Sequence, residues 1–273
     1  MNNTGIVFDV DGVLIDTSRS FPEVVSGIID LFASSITGLG SVPRLFTKEH
    51  YIKARSLPMF NDDYDIAWTF LSWAVSNTAS ITREGRAAPE SWSAALGECD
   101  LDPLIWVPKT FGSDVDRNAV REACEEMYFG EEFFLSVRNT APKHVKGSGL
   151  WERERPFLKN RWQSFVDPVG IYTGRTKEEL ELALLLLDWE DLPRERCVTP
   201  DDGVQKPSAE GLYRLEKILG VSEILFFGDS ESDRKAFEGY GKGRFFPIGE
   251  VFFSTTGAYK TLEEALAGAG VKI

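Results

Sequence analysis

The chain has 273 residues, of which 42% are hydrophobic, and a formal net charge of −13, so it can fold as one large domain or two smaller ones with a buried core. Such an acidic chain disfavours nucleic acid and anionic membranes as partners, and no apolar run approaches the roughly 20 residues that span a bilayer. Because the first residues lack a secretory signal and the three cysteines are scattered, we expect a protein of the reducing cytoplasm.

The first predicted element is a short buried strand, residues 5–8, which runs directly into the segment Asp9-Val10-Asp11-Gly12. Side chains two positions apart on a strand share a face, so the carboxylates of Asp9 and Asp11 can converge on one atom. Gly12 lets the backbone turn beside them. A nucleophile and a proton donor fit this arrangement. Taken alone, the segment is also compatible with a fragment of a calcium-binding loop or with a chance acidic turn.

Helical periodicity replaces this pattern between residues 17 and 149, where apolar side chains recur three and four positions apart, as at Val25, Ile28, Ile29 and Phe32. We predict an inserted helical domain over residues 17–149, which the chain enters at residues 17–18 and leaves through residues 142–149. Residues 84–112 contain three prolines and show little periodicity. We interpret them as an extra lobe or lid, with a poorly ordered surface excursion as the alternative.

Alternating strands and helices return after residue 150. Strands are predicted over residues 169–172, 196–199, 224–227 and 244–248, and helices over residues 177–189, over residues 208–220 and after Thr261. Polar residues lie at the ends of these elements: Thr173 and Gly174 follow the first strand, Lys206 precedes a helix, and Asp229 and Asp233 follow the third strand. In an α/β sheet such strand ends line one crevice.

Each of these segments also has a simpler interpretation. Thr173 and Gly174 can belong to the cap of the following helix. Lys206 can be a solvated lysine, and Asp233 can be an acidic residue that favours the first turn of a helix. If an anionic substrate binds here, the acidic chain must attract it with local positive charge, for which Lys206 and Arg175 are the candidates.

Taken together and in this order, the four segments resemble motifs one to four of the haloacid dehalogenase superfamily, whose members are mostly magnesium-dependent phosphatases. The resemblance implies an α/β fold with a Rossmann-like three-layer α/β/α core and a parallel sheet, formed by residues 1–16 and 150–273. Residues 17–149 resemble the inserted helical cap of subfamily I, and more loosely that of a poorly characterised subfamily IA branch. The insert is longer than the usual small helical caps.

The resemblance also implies roles for the motif-one residues. Asp9 matches the nucleophile that forms an aspartyl phosphate, and Asp11 matches the general acid and base. Mg²⁺ is the implied cofactor, with the carboxylates of Asp9 and Asp229 and the backbone carbonyl of Asp11 as ligands. Asp233 is expected behind these ligands.

Phosphate binding falls to Thr173, Gly174 and Lys206 by the same resemblance, since the transferring phosphoryl group spreads negative charge over its oxygens. Substrate choice is assigned to the cap, with Arg19, Arg55 and Asn61 as candidates. Helix capping and solvated charge are the alternative for these three residues.

The predicted function is therefore a magnesium-dependent phosphatase that acts on a small phosphorylated metabolite. Asp11 favours phosphate esters over halides, because a departing halide needs no proton donor. Two alternatives stay open at this point. One is a phosphotransferase or phosphomutase, in which a second hydroxyl replaces water, and the other is a non-catalytic sensor of a phosphorylated metabolite.

Overall fold

The structure is a computed structural model that describes residues 3–60, 62–100, 102–249 and 257–272. The chain divides into two compact units: a core unit, Met1–Thr17 with Glu154–Ile273, and a helical unit, Ser18–Arg153. The sequence predicts these boundaries after residues 16 and 149. No helix in the described part of the chain is long and apolar enough to span a bilayer.

Five parallel strands form the main sheet of the core unit, in the order β5-β4-β1-β6-β7. The strands of the chain are β1 (Thr4–Phe8), β2 (Ile15–Asp16), β3 (Arg155–Pro156), β4 (Val169–Tyr172), β5 (Cys197–Val198), β6 (Glu223–Gly228) and β7 (Gly243–Pro247). β2 and β3 pair antiparallel beside the main sheet. Because β1 lies between β4 and β6, the residues that follow these three strands meet at one edge of the sheet.

Helices cover both faces of this sheet, which gives the three layers. They are α8 (Lys177–Leu187), α9 (Glu210–Leu219), α10 (Glu231–Tyr240) and α11 (Leu262–Ala269). Alternate residues of β1 enter different cores: Ile6 and Phe8 pack with α8 and α11, whereas Val7 packs with α9 and α10. A strand buried on both faces reads as a continuous apolar run, and this explains the unbroken run of apolar residues before Asp9. The α/β fold with a parallel sheet is confirmed.

The described residues of the helical unit form seven helices: α1 (Phe21–Ala33), α2 (Lys48–Arg55), α3 (Asp63–Ser76), α4 (Thr78–Glu84), α5 (Pro89–Gly97), α6 (Pro103–Phe111) and α7 (Arg117–Arg138). α3 is buried along most of its length and packs against α1, α6 and α7. α7 is interrupted at Gly130, which has φ of 75°. Short 3₁₀ turns occur at Leu150–Arg153, Trp162–Ser164, Arg194–Arg196 and Pro200–Asp202.

Most of residues 84–112 form the helices α5 and α6. Each helix begins with a proline, at Pro89 and Pro103, a position where the missing N–H costs nothing. Trp92 and Trp106 are buried in the helical unit, which contradicts a surface excursion. Leu104, also on α6, is exposed.

Candidate active site

Asp9, the predicted nucleophile, follows β1 at the centre of the sheet edge. Its backbone N–H donates to the Phe227 carbonyl of β6 (2.9 Å), and the residue is only 3% exposed. Burial raises the pKa of Asp9 to about 7; Lys206 opposes this rise, and the carboxylates of Asp233 and Asp11 add to it. An ionised Asp9 at neutral pH therefore calls for more positive charge than Lys206 alone supplies.

The turn after Asp11 brings the backbone against Asp229. Gly12 has φ of +72°, and a Cβ at this position would lie 2.2 Å from Asp229 Oδ2. The Gly12 N–H donates to the Ile15 carbonyl (2.9 Å) and closes the turn. Glycine is required here both for the left-handed conformation and for the close approach, as expected from the sequence.

Lys206 joins two carboxylates. The residue is buried, and its Nζ lies 2.7 Å from Asp9 Oδ1 and 2.7 Å from Asp233 Oδ1. Burial acts to lower the pKa of Lys206, but Asp233 and Asp9 outweigh it and raise the pKa above its ordinary value. Lys206 is therefore cationic, and its burial contradicts the interpretation as a solvated lysine.

Asp233 is held by the first turn of α10 and by Lys206. Its Oδ2 accepts the backbone N–H of Ser230 (3.0 Å) and the Ser230 hydroxyl (2.5 Å), and its own N–H donates to Ser230 Oγ (3.2 Å). This reciprocal pair is a capping box. Because Oδ1 accepts from Lys206, both oxygens of Asp233 already have protein partners.

Three carboxylates form a cluster that fits a divalent metal ion. Asp9, Asp229 and Asp233 offer oxygens that all lie within 4.8 Å of one another. Hard cations prefer such oxygen ligands. Asp9 and Asp233 are buried and Asp229 is partly buried, so three carboxylates beside one lysine leave an excess of negative charge that a divalent cation would compensate. Since the oxygens of Asp233 are engaged, Asp9 and Asp229 are the better placed ligands.

Thr173 and Gly174 follow β4, the neighbour of β1. Thr173 is buried, and its Oγ1 accepts the backbone N–H of Arg175 (3.1 Å); Gly174 is partly exposed. The cap of α8 is supplied by Thr176, which exchanges hydrogen bonds with Glu179 (2.8 and 3.4 Å). The hydrogen bonds of Thr173 and of Thr176 thus fix the backbone on both sides of Gly174.

Arg175 and Glu154 complete the site; the sequence suggests only attraction of an anionic substrate for Arg175 and no role for Glu154. The Arg175 guanidinium is buried, with Nε 2.8 Å from Asp11 Oδ1 and Nη2 2.9 Å from Glu154 Oε2. Glu154 is fully buried. The expectation that Arg175 attracts the substrate is therefore wrong, because two carboxylates already occupy its guanidinium. In the sequence, residues 152–155 alternate acid and base and read as solvated charge.

The residues predicted to select the substrate belong to the helical unit. Arg19 is exposed, and Arg55, at the end of α2, is partly exposed. Arg55 Nη1 lies 3.5 Å from the carbonyl of Phe60. Asn61 lies outside the described residues. Its neighbour Asp62 is the N-cap of α3, so part of this polar run has a structural role.

Solved structures align with nearly the whole chain. A phosphatase from Thermococcus thioreducens has 25% identity and a TM-score of 0.59, over 96% of this chain and 99% of that chain. A Northeast Structural Genomics Consortium target has 13% identity and a TM-score of 0.54, over 97% and 93%. A HAD family hydrolase from Deinococcus radiodurans R1, with bound phosphate and sodium, has 13% identity and a TM-score of 0.48, over 97% and 96%. No protein-family model and no curated protein matches the sequence.

Proposed function

We propose that this chain, which belongs to the haloacid dehalogenase superfamily, is a magnesium-dependent phosphatase that hydrolyses a small phosphorylated metabolite. The observation that carries the proposal is the setting of Asp9. This carboxylate is buried at the end of the central strand, beside Lys206 and within a cluster of acidic oxygens that includes Asp229. This setting supports Asp9 as a nucleophile, Lys206 as its cation, and Asp9 with Asp229 as a metal-binding pair.

Asp9 is the proposed nucleophile. A carboxylate oxygen attacks phosphorus, the bond from phosphorus to the leaving oxygen breaks, and the enzyme carries an aspartyl phosphate. Water then attacks the same phosphorus, releases inorganic phosphate and restores the carboxylate. Lys206, 2.7 Å from Asp9, favours the ionised form that this attack requires.

Asp11 is the proposed general acid and base. It gives a proton to the leaving oxygen in the first step and takes one from water in the second, so the residue ends in its starting state. Such proton transfer typically contributes about 10²–10⁴-fold to the rate. The Asp11 side chain is 22% exposed, which leaves it accessible to a substrate and to water.

The remaining groups stabilise the phosphoryl oxygens. The Thr173 hydroxyl, the Gly174 N–H and the Lys206 ammonium are donors for the negative charge of the transferring group. The carboxylates of Asp9 and Asp229 and the backbone carbonyl of Asp11 would hold Mg²⁺, which supplies positive charge to that group when it is bound.

We propose that Arg19 and Arg55 of the helical unit select the substrate. Arg19→Ala or Arg55→Ala should reduce kcat/KM for the native substrate by at least about tenfold, the loss of one charge-assisted contact, and leave 4-nitrophenyl phosphate almost unchanged. Parallel kinetics on both substrates measure this difference. Equal losses on both would assign the residue to the catalytic machinery or to stability.

A screen of the purified protein with Mg²⁺ against a panel of phosphorylated metabolites tests the proposal. Phosphate release from one chemical class is the expected result, and it should vanish in excess chelator and in Asp9→Asn. Turnover by Asp9→Asn, or no release from any member of the panel, would contradict it. A second phosphorylated product in place of inorganic phosphate would indicate transfer to a hydroxyl.

A further inference from the structure

Arg175 reaches from the end of β4 to the carboxylate of Asp11. Its Nε lies 2.8 Å and its Nη2 2.7 Å from the same oxygen, Asp11 Oδ1. The arginine side chain is fully buried, whereas that of Asp11 is 22% exposed. A buried guanidinium therefore holds one oxygen of a side chain that is itself partly exposed.

The guanidinium is itself anchored on its other edge. Nη2 donates to Oε2 of the fully buried Glu154 (2.9 Å), and Nη1 donates to the Glu179 carbonyl in the first turn of α8 (3.1 Å). The Arg175 N–H donates to Thr173 Oγ1, so its backbone is fixed as well. An arginine has five N–H donors in a planar fork, and contacts to Asp11, Glu154 and Glu179 engage all three of its nitrogens. The fork cannot turn toward a phosphate without breaking these contacts.

We propose that Arg175, anchored by Glu154, is the positioning residue that orients Asp11 for proton transfer. The inference rests on the proposed phosphatase function. Two N–H groups of the Arg175 cation donate to Oδ1, and they oppose a proton on the same oxygen. The acid form of Asp11 therefore carries its proton on Oδ2. This oxygen delivers the proton to the leaving group and later receives one from water, so the contact between Arg175 and Oδ1 persists through both steps.

Positioning matters because a general acid acts only within hydrogen-bonding distance of the atom that it protonates. Asp11 precedes the tight turn at Gly12 and is partly exposed, so its side chain has room to rotate. The guanidinium fork removes this freedom. Lysine cannot replace it fully, because an ammonium is a point charge without a fixed fork.

The paired variant Arg175→Gln/Glu154→Gln provides the test. Replacing Arg175 alone would leave Glu154 buried without its cation, whereas the pair removes both charges and keeps polar side chains at both positions. Single-turnover release of the leaving group is measured with phenyl phosphate, whose phenoxide leaves poorly without a proton, and with 2,4-dinitrophenyl phosphate, whose phenolate needs none. Asp11→Asn sets the reference for loss of the acid.

We expect the paired variant to release phenol at least about 10²-fold more slowly than the wild type and dinitrophenolate less than about tenfold more slowly. Arg175→Lys should fall between the wild type and the paired variant on phenyl phosphate. The matched control is Arg117→Gln/Asp65→Asn in the helical unit, which removes a similar two-pronged pair (2.6 and 3.1 Å) and should leave both rates unchanged.

Equal losses on the two substrates would overturn the proposal and assign Arg175 to phosphate binding or to the fold. Unchanged rates on both would overturn it as well and reduce the cluster to an ion pair. In either case the proposed function survives, provided that Asp9→Asn is inactive and Asp11→Asn shows the leaving-group selectivity. A wild type inactive on both esters and on the whole metabolite panel would overturn the proposed function and this inference together. If the paired variant does not fold, Arg175→Lys decides by the same comparison.

Discussion

Replacing Asp9 with asparagine should stabilise the metal-free protein while abolishing activity. The pKa of Asp9 rises from 3.8 to about 7, chiefly through burial. A native pKa above the unfolded value means that the folded state holds the proton more tightly, so this group's contribution to stability is lost as the pH rises from about 4 through 7. At about 1.4 kcal/mol per unit, the ionised form costs the metal-free fold about 4 kcal/mol. The amide never ionises and escapes this cost.

The assay is denaturant unfolding of both proteins in chelator at pH 5 and pH 8. Between these values, the stability difference should shift by about 2–3 kcal/mol in favour of Asp9→Asn, or by about 5–10 °C in Tm. Groups that titrate in both proteins, such as His50, cancel in the difference. Asp188→Asn, at a side chain that is 72% exposed, is the matched control and should show no such shift.

Mg²⁺ provides the second half of the test. An ion that binds the folded state alone stabilises it by mass action, so Mg²⁺ should raise the Tm of the wild type more than that of Asp9→Asn, in which a neutral amide replaces an anionic ligand. The reasoning fails if the stability of Asp9→Asn minus that of the wild type is smaller at pH 8 than at pH 5. That result would mean that the Lys206 ion pair outweighs burial, and a difference independent of pH would mean that Asp9 ionises as it does in the unfolded chain.

Three further substitutions address other parts of the chain. Gly12→Ala should cost about 1–2 kcal/mol in the left-handed turn and, because its Cβ would displace Asp229, should abolish the rise in Tm with Mg²⁺. Gly203→Ala, at a φ of +74° with no atom near its Cβ, is the strain-matched control and should keep that rise. Burial lowers the pKa of His50, so stability should be lost as the pH falls below about 6.5; unfolding of His50→Gln across this range should show a shallower slope, and an unchanged slope would contradict the assignment. Glu126 is buried and accepts three backbone N–H groups of residues 143–145 (2.6, 2.6 and 2.8 Å). Glu126→Gln should cost about 2–3 kcal/mol and reduce the hydrogen-exchange protection of these amides, whereas unchanged protection would show that the loop is held by other contacts.

The sequence predicts best what depends on neighbouring residues and on the order of strands. The turn at Gly12, the cap of α8 and the strand before Asp229 all follow from local spacing. Once the strands are parallel, their ends must share one edge. The helices α5 and α6 are not evident from the sequence pattern, although Pro89 and Pro103 occupy first positions of helices, where proline is common. Their short helical runs leave too few turns for a clear period.

Charge compensation in the site could not be predicted, because it links residues far apart in the sequence. Glu154 is 21 positions from Arg175, and Arg175 is 164 positions from Asp11. From the local sequence alone, such charged side chains are expected at the protein surface, where most of them lie. Glu154 is an exception, because it is buried and a buried carboxylate needs a cation. Arg175 supplies that cation and is therefore not available to bind the substrate.

Two groups of carboxylate, cation and carboxylate lie in the site: Asp9–Lys206–Asp233 and Asp11–Arg175–Glu154. In each, the second carboxylate holds the cation in place for the first. The cations differ as the two proposed tasks require. An ammonium is a compact charge with three rotatable donors, suited to a nucleophile beside phosphoryl oxygens that move during the reaction. A guanidinium fork fixes direction, which a proton donor needs and a nucleophile of this kind does not. Exchanging lysine and arginine between the two groups would keep every charge and still disrupt both tasks.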